Sequence, residues 1–151
     1  HIGGAYGDKV SAMKRFCENF HRLPDSVKSR LTGENDDKAS MYSVVDLYEG
    51  VYCKIGIPIV FDYHHHRFNT GGLTEEDALE VAISTWGDVV PVVHYSESRN
   101  IEQEDDKIRP QAHSDYVYDY IDTYGNEVDI MVEAKAKELA VLKYKEIHEV
   151  V

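Results

Sequence analysis

Two spacings of apolar residues divide this chain into strands and helices. Short unbroken apolar runs read as buried strands, and apolar residues three or four positions apart read as helices packed on them. The runs are Ile57-Pro58-Ile59-Val60-Phe61, Val89-Val90-Pro91-Val92-Val93 and Val128-Asp129-Ile130-Met131-Val132. His1-Ile2 reads as the end of a further strand, turned by Gly3-Gly4, and residues 29–37 as a short strand entering an acidic loop. Between them, Val10, Met13, Phe16, Cys17 and Phe20 share one helical face. Pro24 ends that helix or opens a short second one. Val44, Leu47, Tyr48, Val51 and Ile55 define the next helix, and Gly56 stops it. Thr74-Glu75-Glu76-Asp77 is a capping sequence for a helix carrying Ala78, Leu79, Ala82, Ile83 and Trp86. Residues 97–112 read as a polar loop, His113-Ser114 as the start of a short helix, and residues 134–146 as a final helix.

The order strand, helix, strand, helix predicts an α/β fold with a parallel sheet and helical crossovers. The 151 residues are enough for a single domain with a real core, spanning residues 1–151. No apolar run is long enough to cross a bilayer and no signal peptide is visible, so no membrane partner is expected. A chain that begins at His1 is expected to be a piece of a longer protein, or a processed or trimmed one. Cys17 and Cys53 lie in helical segments without a CxxC pattern, and both are expected to be reduced, buried and structural. The net charge of −12 argues against sequence-blind binding to phosphate backbones. It leaves room for a nucleic-acid enzyme whose carboxylates surround metal ions.

The chemistry lies in where the polar residues fall. Asp62-Tyr63-His64-His65-His66 follows the central apolar run directly. A carboxylate and several imidazoles at the end of a buried strand are costly unless something binds them, and a divalent cation is the simplest partner. His1, Glu34, His94 and Glu133 also follow predicted strands, and His113 opens a helix after a loop from the same end. Function in parallel α/β folds gathers at the C-terminal ends of strands. Taken singly, each residue has an ordinary explanation: a loop acid at Glu34, a packed imidazole at His94, a helix-capping acid at Glu133. Together, His1, Glu34, Asp62, His65, His94, His113 and Glu133 predict a metal site. Imidazoles with carboxylates suit zinc, manganese or iron better than calcium, and the set is too large for one ion. Clustered ions suit phosphoryl chemistry.

These residues sit in motifs that resemble those of the UV damage endonucleases, the UvdE family. The matching stretches are His1-Ile2-Gly3-Gly4 with Tyr6-Gly7-Asp8-Lys9, Glu34-Asn35-Asp36-Asp37, and Phe61-Asp62-Tyr63-His64-His65. His94-Tyr95-Ser96-Glu97, His113-Ser114-Asp115-Tyr116 and residues 129–138 continue the match in family order. The resemblance implies parallel βα units of the TIM-barrel type, apparently the C-terminal half of a (β/α)8 barrel. It implies a metal-dependent DNA repair endonuclease that nicks the backbone 5′ of UV photoproducts, a metal-bound hydroxide attacking the phosphodiester. The implied ligands are His1, Glu34, Asp62, His65, His94, His113 and Glu133, holding two or three divalent ions, manganese first, with zinc or magnesium as alternatives. The catalytic set would be Glu34, Asp62, His65, Glu133 and Lys9, with Lys9 contacting a phosphate and His64 and His66 in supporting roles. The implied partners are damaged double-stranded DNA and either a missing N-terminal barrel half or a second copy of the chain. The implied setting is intracellular, cytoplasmic or nuclear.

Two departures stand out. Family members carry a modified lysine two residues before the histidine of the His-x-Ser motif, and here that position is Val92. Only about half a barrel is present, which leaves open sheet edges. The competing readings are a sugar isomerase of the xylose isomerase type, and a non-catalytic half-barrel fragment that binds metal or a partner.

Overall fold

A computed structural model describes residues 1–150. Helix α1, Lys9–Phe20, starts where Asp8 Oδ1 accepts from Ser11 N at 3.0 Å, the side-chain cap that satisfies an otherwise orphaned N–H. Pro24 precedes the single turn α2, Asp25–Lys28. Strand β1 is Gly33–Glu34. Helix α3, Val44–Leu47, opens with a reciprocal capping box between Ser43 and Asp46. It runs through a π-helical turn, Tyr48–Tyr52, into α4, Cys53–Ile55, and stops at Gly56, whose φ is 72°. Strand β2, Ile59–Asp62, passes directly into α5, Tyr63–Phe68. Helix α6, Glu75–Ile83, is capped by Thr74. Strand β3 is Val92–Tyr95, α7 is Arg99–Glu102, β4 is Asp129–Val132 and α8 is Glu138–Ile147.

The sheet is parallel throughout, in the order β1-β2-β3-β4. Its register sets the functional end. Glu34 pairs with Val60, Asp62 with His94, and Tyr95 with Val132. Glu133 N extends the ladder by donating to Tyr95 O at 2.9 Å. Every strand therefore delivers its last polar residue to one rim. The start of β2 is fixed by the turn after α6: Ile59 N donates to Thr85 Oγ1 at 2.9 Å, and Trp86 Nε1 donates to Ile59 O at 2.7 Å. Behind the sheet, Leu47, Val51, Phe61, Tyr63, Leu79 and Val93 form the fully buried core. Each such side chain contributes about 1.5–3 kcal/mol by leaving water. Among the described residues, no helix is long and apolar enough to cross a membrane.

Several expectations are corrected. His1-Ile2 forms no strand; residues 1–5 are irregular, and Ile2 and Ala5 are held by burial in the core. The strand expected at residues 89–93 begins at Val92, and Val89 and Val90 are exposed. The loop at residues 97–112 contains the helical turn α7. No helix follows His113. The Glu102 carboxylate accepts from Asp115 N and Tyr116 N, and Glu97 accepts from Tyr118 N and Asp119 N. A helix from His113 would bond Tyr118 N and Asp119 N to Ser114 O and Asp115 O; Glu97 takes those N–H groups, and Lys135 N and Ala136 N take the carbonyls. The last helix starts at Glu138, not Ala134, because Lys137 leaves the helical region, with φ 54° and ψ −124°. Cys17 is buried but Cys53 is exposed. Cys53 lies two positions after Val51, so it faces away from the stripe on which Val44, Leu47 and Val51 pack inward.

Candidate metal centre

The rim at the C-terminal ends of the strands brings together all seven residues singled out as ligands. Glu34 is the hub. Its Oε1 lies 3.2 Å from His94 Nδ1 and 3.5 Å from His65 Nδ1, and its Oε2 lies 3.5 Å from His1 Nε2. Asp62 Oδ2 is 3.7 Å from His65 Nδ1. Glu133 joins from β4, with Oε1 at 3.5 Å from His94 Nδ1 and Oε2 at 3.9 Å from His113 Nδ1. Two overlapping trios, His1-Glu34-His65 and Glu34-Asp62-His94, offer one ligand atom each within 4.8 Å of one another.

Local folding explains why these side chains point as they do. Asp62 ends β2 and caps α5: its Oδ1 accepts from His65 N at 2.7 Å, which places His65 one turn in on the same face. Asn35, wholly buried, spans the gap between β1 and β2. Its Oδ1 accepts from Asp62 N at 2.8 Å and its Nδ2 donates to Asp62 O at 3.0 Å. His65 Nδ1 sits 2.8 Å from Asn35 O, and donating to that carbonyl leaves Nε2 as the free ligand atom. His1 Nδ1 lies 3.0 Å from Asp36 Oδ1, which fixes that ring in the same manner.

Two buried atoms remain unsatisfied on adjacent strands: Asp62 Oδ2, and His94 Nδ1, which is close to Glu34 but not aligned to donate to it. An unpaired buried polar atom costs about 1–3 kcal/mol. Both aim at the same space, and a divalent cation there would satisfy both. The donor set of imidazoles and carboxylates without thiolate fits a borderline or hard divalent ion of the manganese or zinc type. Protonation follows the same geometry. The hydrogen bond to Asp36, helped by Glu34, holds His1 up to about 9. Burial pushes the Asp62 carboxyl up to about 6. Burial also opposes charge on Glu34, but His94, His1 and His65 outweigh it and hold that carboxyl below the usual range. The Glu34 carboxylate 3.2 Å away raises His94, whereas burial lowers His113.

The remaining sequence candidates sit elsewhere or behind. Lys9 Nζ donates to Asp46 Oδ2 at 2.9 Å, beside the α3 capping box. His64 and His66 point into the core. His64 packs edge-on to His113 and Phe68, and burial drops its pKa to about 4. His66 packs against Phe61, its basicity lowered by burial. Val92 is in β3, two residues before His94, and presents no ligand atom. Sequence reasoning gave no role to Asn35 or Asp36. Asp36 was open to inference, because it lies two residues after Glu34 and extended chain puts such pairs on one side. Asn35 stands in the matching stretch Glu34-Asn35-Asp36-Asp37, but nothing there signals its bonds to the Asp62 backbone.

Known proteins resemble this chain in sequence and in fold. A family model described as "UV-endonuclease UvdE" matches residues 1–150. A UV DNA damage endonuclease of Bacillus cereus (strain Q1) is 37% identical over 159 residues, covering 99% of this chain and 47% of its own length. A UV DNA damage endonuclease of Bacillus pumilus (strain SAFR-032) is 40% identical over 157 residues, covering 97% of this chain and 46% of its own. The solved structure described as "Crystal Structure of SacUVDE" superposes with a TM-score of 0.81 at 33% identity, over 99% of this chain and 50% of that one. The chain thus spans about half the length of the relatives it matches, and its parallel βα units are of the TIM-barrel type, in the extent of half a barrel. On this match the chain belongs to the UV-endonuclease UvdE family.

Proposed function

We propose that this chain carries the metal-binding rim of a DNA repair endonuclease that nicks the backbone 5′ of UV photoproducts. The observation that supports this best is the convergence of Glu34, Asp62, His94 and Glu133 from four successive strands on one point. His1, Glu34, Asp62, His65, His94, His113 and Glu133 would hold two or three divalent ions, manganese before zinc or magnesium. Divalent ions bound there supply Lewis acidity toward a phosphodiester and lower the pKa of water. The protein's own part is positioning. Asn35 and Asp36 fix the acids and rings before substrate arrives, so little reorganisation remains at the reaction. Glu34, Asp62, His65 and Glu133 would be the residues that touch the reacting groups. Lys9, already paired with Asp46, would reach a phosphate only by leaving that partner. DNA as substrate implies action inside the cell, in cytoplasm or nucleus.

The 151 residues would act as one domain that needs company. Strand β4 is an open edge with Ile130 and Met131 exposed, and Leu139 and Leu142 on α8 are more than half exposed. Open edges and contiguous apolar surface call for a partner. The partner that would complete the barrel is an N-terminal half or a second copy of the chain. The test is nicking of UV-irradiated duplex in manganese, by this chain alone and joined to the N-terminal half of a relative, with light scattering for mass. Nicks 5′ of photoproducts that stop with chelator support the reading. Turnover of aldoses or ketoses without nicking overturns it in favour of a sugar isomerase. Metal binding with neither activity overturns it in favour of a non-catalytic fragment.

A further inference from the structure

We propose that Arg109 and Lys135 form a two-point clamp for the DNA phosphate adjacent to the one cleaved, an inference that rests on the endonuclease reading above. A cavity of about 510 Å³ opens beside the rim, lined by Arg109, Gln111, His113, Glu133 and Lys135. Its volume is in the range of small-ligand sites and accommodates a nucleotide unit. His113 and Glu133 are shared with the metal centre, so a group in the cavity sits next to whatever the ions hold.

The two cations are uncommitted. Among the described residues, neither side chain makes a hydrogen bond or ion pair, while several other cations are engaged. Arg67 binds Tyr95 and faces Glu75, Arg99 binds Asp115, and Lys9 binds Asp46. The backbones that carry the pair are tied to each other. Ala112 N donates to Arg109 O and Arg99 N donates to Ala112 O, which pins the loop before His113 to α7. Lys135 N donates to Ser114 O at 3.0 Å and Ala136 N to Asp115 O at 3.0 Å, which pins the β4 outlet to the same loop. The two cations thus flank one opening on a braced frame rather than on free tails. Around an acidic rim, in a chain of net charge −12, they are where an anion lengthening out of the metal centre would go. Guanidinium offers a planar fork to phosphate oxygens, and ammonium a point charge. The ligand class is a phosphodiester one unit along the strand.

The test uses thymidine oligomers with cleavage-resistant phosphorothioate links, one link or two, titrated into manganese-loaded protein. Wild type gains about tenfold in affinity from the second link, as expected for a charge-assisted contact. In Arg109→Ala/Lys135→Ala that gain disappears, the one-link affinity and manganese content stay unchanged, and the salt slope falls by about 0.7 per lost contact. Arg109→Lys/Lys135→Arg keeps most of the gain. The same charge loss at Arg30→Ala/Lys54→Ala, before β1 and β2 at the opposite end of the strands, keeps all of it. The clamp is overturned if the second link adds nothing to wild type, if the gain survives in the double alanine variant, or if the remote pair loses as much. Failure of wild type to bind even the one-link oligomer in manganese sinks the endonuclease reading itself, and the clamp with it.

Discussion

Replacing Asp62 by Asn separates the cost of a ligand from its use. Asp62 is wholly buried, and burial pushes its carboxyl up to about 6 from 3.8. A folded value raised above the unfolded one means stability is full below pH 3.8 and is lost as pH climbs through 6. A rise of about two units corresponds to ~3 kcal/mol at most. Asn keeps the oxygen that accepts from His65 N, so the α5 cap survives. Chelator-treated Asp62→Asn is therefore expected to match wild type in urea at pH 3.5, where both side chains are neutral. At pH 8 it is expected to be more stable, by up to ~3 kcal/mol. Its manganese affinity, in contrast, should drop at least ~10-fold, since even the loss of an outer partner of a ligand costs that much. Denaturation curves at both pH values and a manganese titration check the pair of effects. A variant that is less stable at pH 8, or binds manganese as wild type does, refutes the argument that this carboxylate is kept charged and buried for a cation.

Other outcomes follow from the same geometry. Asp36→Asn should weaken manganese binding about 10–100-fold without unfolding the protein, because it loosens His1 from behind; equilibrium dialysis measures it, and unchanged affinity refutes the role. His1 is held protonated up to about 9, so its ion pairs stabilise the metal-free fold below pH 6.5 and are lost as pH rises through 9. Manganese must displace that proton: calorimetry at pH 7.5 in buffers of different ionisation enthalpy should show release approaching one proton from His1, and buffer-independent heats would contradict it. Asn35→Ala leaves the backbone N–H and carbonyl of Asp62 without partners. At about 1–3 kcal/mol for each of the two buried groups, the loss should be ~2–6 kcal/mol in urea denaturation; a change under 1 kcal/mol would show that the span between β1 and β2 is not structural.

The rim was legible because a parallel sheet turns a linear pattern into a spatial one. An apolar run followed at once by an acid or imidazole places that residue at a strand's C-terminal end, whatever the exact boundaries. Asp62, His94 and Glu133 needed nothing more. What was not legible depends on contacts between distant segments. The stretch after His113 has apolar residues at helical spacing, yet Glu97 and Glu102 capture its N–H groups and keep it irregular. The segment after Glu133 is tied to the His113 loop through Lys135 N and Ala136 N and turns at Lys137, φ 54°, so α8 starts a turn later and Glu133 has no capping role. Lys9 looked like a phosphate ligand because of its motif, and its pairing with Asp46 depends on how α1 lies against α3.

The central claim is that acids and imidazoles remote in sequence share divalent ions at one mouth of the sheet. Anomalous diffraction at the manganese edge from manganese-soaked crystals addresses it directly. The account predicts at least two peaks, one bounded by Glu34, Asp62 and His94 and another toward His113 and Glu133 or His1 and His65. Peaks only at surface carboxylates away from this rim, or none at all, would contradict it.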